Sequence, residues 1–135
     1  MQPTGRPALT LAELESAAER VHGVMTPTPA ICWPLLAERT GTETWVKHEN
    51  HTPIGAFKVR GGLVYMADLK RREPGIRGVI AATRGNHGQS VALAARRNGI
   101  PATIVVPHGN SREKNTAMRA FGATLVEYGH DFQAA

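Results

Sequence analysis

The sequence predicts an α/β protein built on a parallel sheet, and two observations carry that prediction. Apolar runs of strand length recur over 78–82, 102–106 and 123–127, at intervals of about 22 residues. The stretches between them show helical periodicity: 86–98 closes on Gly99, and Ser111 caps a segment whose inner face is Ala117, Met118 and Phe121, closed by Gly122. The order is β-α-β-α-β, which requires crossover connections and a parallel sheet. The two units match in architecture and are not a sequence repeat.

Ahead of this rhythm the elements are less regular. Residues 1–9 read as a loose tail, and Thr10-Leu11-Ala12-Glu13 is a capping box. Leu11, Leu14, Ala18 and Val21 then recur at helical spacing up to Gly23. Pro27 and Pro29 force an extended passage. Residues 44–47 fit a strand between Gly41 and the turn-rich His51-Thr52-Pro53. A helix over 57–72 carries Val59, Leu63, Met66 and Leu69 on one face and ends before Pro74-Gly75. Asp131 is placed to cap a further helix, so the chain is expected to be a fragment.

Composition narrows the function classes. Apolar residues make up 41% and charged residues 20%, a globular balance. No run reaches the length of a membrane span, and the start lacks the basic and apolar segments of a secretory signal. Cys32 stands alone, which fits a reducing cytoplasm. The net charge of +5 does not argue for nucleic acid. Lys70-Arg71-Arg72 and Arg96-Arg97 fall in last helical turns, where cations complement the dipole. The aromatics (two Trp, two Tyr, three Phe) form no stripe among them. The six histidines are dispersed and without metal-ligand spacing.

Two segments carry chemistry. The first is Thr83-Arg84-Gly85-Asn86-His87-Gly88-Gln89, between a strand and a helix. Ligands of open parallel sheets gather at such turns, where free helix amides and glycine backbone meet an anion. Taken alone, the segment reads equally as a polar loop capping a helix. The second is Gly55-Ala56-Phe57-Lys58-Val59-Arg60-Gly61-Gly62, after Lys47-His48-Glu49-Asn50. A lysine opening a helix sits where the dipole disfavours its protonated form, as a Schiff-base nucleophile requires. Taken alone, Lys58 also reads as a surface lysine and Phe57 as a core residue.

Together the segments are more specific. K-x-E-N-x-x-x-x-G-A-F-K-x-R-G, followed by T-x-G-N-H-G-Q, resembles the fold-type II pyridoxal-phosphate (PLP) enzymes, and among them the threonine/serine dehydratase branch. The resemblance covers residues 24–130. It implies a tryptophan synthase β-like fold. Residues 1–53 would be the first elements of a larger domain, and 54–135 a small parallel α/β domain. Lys58 would carry the PLP cofactor and later remove the substrate α-proton. Phe57 would lie against the pyridine ring, and Asn86 would bond its 3′ oxygen. Thr83, Arg84, Gly85, Asn86 and His87 would hold the carboxylate of an amino-acid substrate. The reaction implied is β-elimination to a 2-oxo acid and ammonia, in a protein that forms a homo-oligomer when intact.

Two positions depart from that pattern. Ala56 stands where the branch usually has serine, and Arg84 where it usually has a small residue. No glycine-rich run follows residue 90 to cup the cofactor phosphate, so residues 1–135 alone are expected to be inactive. Two alternatives follow: a non-catalytic remnant that binds a small anion or partner, and a β-replacement synthase of the same family.

Overall fold

The computed structural model describes residues 9–135, so the tail expected over 1–9 lies outside the described residues except for Leu9. Thr10 starts α1 (Leu11–His22) with the expected capping box: its Oγ1 accepts from the Glu13 amide at 3.2 Å, and the Glu13 carboxylate accepts from the Thr10 amide at 2.8 Å. Of the apolar face read from the sequence, Val21 is buried, whereas Leu11 and Leu14 stay 69% and 56% exposed.

Residues 30–47 contain more structure than their pattern announces. β1 (Ala30–Cys32) pairs antiparallel with β2 (Trp45–Lys47), and α2 (Pro34–Thr40) lies between them. Pro34 occupies the first helical position, where a missing N–H costs nothing. Gly41 closes the helix at φ 70°, a left-handed conformation that glycine adopts without a Cβ penalty. A 3₁₀ turn over Glu49–His51 then leads into the loop before α3 (Lys58–Arg72).

The remaining elements are β3 (Val79–Ala82), α4 (Asn86–Arg97), β4 (Ala102–Val106), α5 (Arg112–Ala120) and β5 (Thr124–Glu127). The three strands form a parallel sheet in the order β3-β4-β5. α4 is the hub. It packs against α3, α5, β3 and β4, and most of its length is buried, including Gly88, Gln89, Ser90, Val91, Ala92, Ala94 and Ala95. The small residues among these let neighbouring elements come close. Val59, Leu63, Met66 and Leu69 of α3 meet α4 in one core with Ile104 and Val106 of β4 and Met118 of α5.

β3 is apolar throughout, yet only one face of the sheet is covered. Register places Ile80, Thr103 and Thr124 side by side, and likewise Ala82, Val105 and Val126. None of these is buried, and Ile80 is 73% exposed. Their partners of opposite parity in β4, Ala102, Ile104 and Val106, point into the core. Parallel strands are hydrophobic throughout because helices normally cover both faces. Among the described residues, helices cover one.

The basic clusters lie where their sequence position put them: Lys70, Arg71 and Arg72 in the last turn of α3, Arg96 and Arg97 in that of α4. Asp68 accepts from both Arg71 and Arg72, and the Arg71 bond above all holds its carboxyl below the usual range. Asp131 Oδ1 accepts from the amides of Gln133 and Ala134, the bonding of a cap, over a turn. No helix among the described residues is long and apolar enough to cross a membrane.

Candidate active site

Lys58 is the first residue of α3, and no side chain caps that helix start. The motif residues around it fix its backbone. The Arg60 guanidinium donates to both oxygens of Glu49, through Nε at 2.8 Å and Nη2 at 2.9 Å. Thr28 Oγ1 donates to the same carboxylate at 2.6 Å, and Lys47 Nζ donates to the Thr28 carbonyl at 2.9 Å. The paired residues of K-x-E-N and K-x-R-G are therefore a clamp that joins β2 and its 3₁₀ turn to the first turn of α3. The Arg60 hydrogen bonds hold the Glu49 carboxyl at about 2, against an ordinary value of 4.5, and Arg60 is raised in return.

The second support comes from α4. Ser90, fully buried, donates through Oγ to the Lys58 carbonyl at 2.8 Å. A Cβ on Gly62 would stand 2.1 Å from that oxygen, so glycine there is what lets the two helices approach. The Lys58 ammonium forms no hydrogen bond or ion pair among the described residues. Its contact is the Phe57 ring, 5.6 Å from the centroid, a cation–π distance. Phe57 is 60% exposed and so does not take the core position it has in isolation.

The loop between β3 and α4 is tightly made. Thr83 is buried, and its Oγ1 accepts from the Gly85 amide at 3.2 Å. The amides of Asn86, His87 and Gly88, in the first turn of α4, donate to no acceptor among the described residues, as helix geometry leaves them. Arg84, Asn86 and His87 are exposed, and the Arg84 guanidinium forms no hydrogen bond or ion pair among the described residues. The Asn86 carboxamide oxygen accepts from Lys114 Nζ at 2.7 Å.

These two segments share a cavity of about 460 Å³. Lys58 and His87 supply its polar side chains together with Ser90, and Gly61, Gly62, Tyr65, Met66, Val79, Ile80, Ala81 and Val91 form the rest of its wall. The volume lies in the range of small-molecule sites. Of the residues singled out in the sequence, Lys58 and His87 line it. Thr83, Arg84 and Gly85 belong to the adjoining loop, Asn86 opens α4, and Phe57 lies beside Lys58. Sequence reasoning missed Glu49 and Arg60 as a pair, Ser90 and Lys114. The first two stood inside the quoted motif, whereas nothing local announces the others.

A pyridine ring with a phenolic oxygen, an aldehyde and an anionic substrate needs a free amine, an amide donor and unpaired backbone N–H groups. Lys58, the free carboxamide end of Asn86 and the first turn of α4 are donors of these kinds, so they fit the ring oxygen, the aldehyde and a carboxylate, while the set contains no cup for the phosphate. The parallel sheet and this donor set are of the kind that pyridoxal-phosphate chemistry uses. Comparison with known proteins agrees: residues 21–135 match the pyridoxal-phosphate dependent enzyme family, and the chain belongs to it. It is 40% identical to the L-threonine ammonia-lyase of Thermotoga maritima, covering 94% of this chain and 31% of that protein. It is also 40% identical to an L-threo-3-hydroxyaspartate ammonia-lyase of a Pseudomonas species, over 83% and 35%. The crystal structure of a pyridoxal 5′-phosphate-dependent aspartate racemase superposes with a TM-score of 0.83 at 31% identity, covering 90% of this chain and 38% of the racemase. The chain thus spans between about a fifth and about a third of the length of the curated relatives it matches.

Proposed function

We propose that the protein catalyses β-elimination from a hydroxy amino acid such as threonine or serine, giving a 2-oxo acid and ammonia. The observation that carries this reading is the cavity on whose wall Lys58 and His87 meet from two different helices. The similarity to an L-threonine ammonia-lyase supports the choice of reaction. Bound pyridoxal phosphate supplies the electron sink that acidifies the substrate Cα–H bond. Lys58 would hold the cofactor and then take the Cα proton on Nζ. The β-hydroxyl leaves as water after protonation, and uptake of one water releases ammonia from the 2-oxo acid. Asn86 would donate to the ring oxygen, and Phe57 would pack beside the cofactor. The amides of α4's first turn, with Thr83, Gly85 and His87, hold the substrate carboxylate.

Arg84 deepens the reading. An unpaired guanidinium beside that carboxylate site suits a second carboxylate, which would admit β-hydroxyaspartate alongside threonine. The Pseudomonas relative bears a name that fits this substrate class. We assign residues 1–53 to a larger domain and 54–135 to a small one, in a cytoplasmic homo-oligomer. The test is 2-oxo acid production from threonine, serine and 3-hydroxyaspartate by the protein in its full length. Turnover is expected with at least one, lowered about 10²–10⁴-fold or more by Lys58→Ala. Turnover that survives Lys58→Ala, or none with any of the three, contradicts the reading.

A further inference from the structure

We infer that Lys114 is a positioning residue for this site: its ammonium fixes the Asn86 carboxamide so that Nδ2 is the end left free for a ligand. The inference rests on the reading that Asn86 meets the cofactor ring. Lys114 lies in the first turn of α5, and its Nζ donates to Asn86 Oδ1 at 2.7 Å. An ammonium has donors and no acceptor. The carboxamide atom it meets must therefore be the oxygen, and Nδ2, which donates to no acceptor among the described residues, is turned away from it. Without Lys114 the amide is free to present either end.

The lysine stem is built into the loop as well. A Cβ on Gly85 would stand 2.4 Å from Lys114 Cδ and 3.1 Å from Cε and Nζ. Any side chain at 85 would displace the lysine, so the loop glycine and Lys114 form one unit. Its electrostatics point the same way. The ammonium sits in the first turn of one helix and touches the first residue of another, two places where the backbone dipole repels a cation. It forms no ion pair with any carboxylate among the described residues. An anionic oxygen bound by Asn86 would relieve that repulsion.

Lys114→Met keeps the stem and removes the donor, whereas Lys114→Arg keeps a donor. In the ligand-free protein, the side-chain amide resonances of Asn86 should shift in Lys114→Met and stay near their place in Lys114→Arg. Titrated with pyridoxal phosphate, Lys114→Met should bind about tenfold more weakly. In an Asn86→Ala background it should add nothing further. Unmoved Asn86 resonances in Lys114→Met overturn the inference, as does a loss of affinity that persists undiminished in the Asn86→Ala background. Asn86→Ala binding the cofactor as tightly as the unmutated protein would instead overturn the reading of Asn86 itself, while the ligand-free spectrum still reports the contact.

Discussion

Glu49 accepts two hydrogen bonds from Arg60 and one from Thr28, all at the root of the helix that begins with Lys58. With its carboxyl held at about 2 in the folded protein and near 4.5 otherwise, it contributes stability that is fully present above pH 4.5. That contribution is lost as pH falls through about 2. Acid titration of unfolding should therefore show a decline across this window that is absent in Glu49→Gln, a variant expected to be about 1–2 kcal/mol less stable near neutrality. An identical decline in both would show that the clamp does not matter. Arg84 carries the second prediction at this scale. Racemisation needs a proton exchanger on each face of the substrate, and a guanidinium, which keeps its protons in proteins, does not serve as one. Negligible D-serine is expected from L-serine, with a shift in preference away from hydroxyaspartate in Arg84→Ser. Substantial D-serine from the unmutated protein, or unchanged preference in the variant, would count against these roles.

At the scale of elements, α3 and α4 are held together where it matters for Lys58. Ser90 bonds the Lys58 carbonyl, and Gly62 leaves room for it. A methyl group at 62 would overlap the Ser90 oxygen, so Gly62→Ala should destabilise by about 1–3 kcal/mol. Adding Ser90→Ala removes the overlapping atom and should recover part of that loss, although Ser90→Ala alone costs about 1 kcal/mol. Additive losses in denaturant unfolding would contradict the packing described. Much of α3 was legible beforehand: Val59, Leu63, Met66 and Leu69 follow the helical period and are the buried positions. The same period in α1 marked Leu11 and Leu14, which stay exposed, because periodicity identifies an apolar face and not what covers it. β1 has only three residues, too few to show alternation, and α2 followed two prolines that spoke for extended chain.

For the whole molecule, the parallel order β3-β4-β5 places the loop over 83–88 at the C-terminal end of an edge strand, beside the start of α3. That juxtaposition of Lys58 with His87 is what the two quoted motifs implied. Their supports were not legible, because Ser90 and Lys114 reach their partners across the fold, with no local spacing to mark them. The strand runs of the sheet were readable from composition, yet which of its faces is covered was not. Ile80 and Val126 belong to a face that helices leave open among the described residues.

The proposed site turns on a single amine that would hold the cofactor, and reduction tests it most directly. Borohydride treatment of the protein with pyridoxal phosphate, followed by peptide mapping, should place the phosphopyridoxyl group on Lys58 and should label nothing in Lys58→Ala. Label on Lys47, Lys70 or Lys114 in place of Lys58 would contradict the assignment.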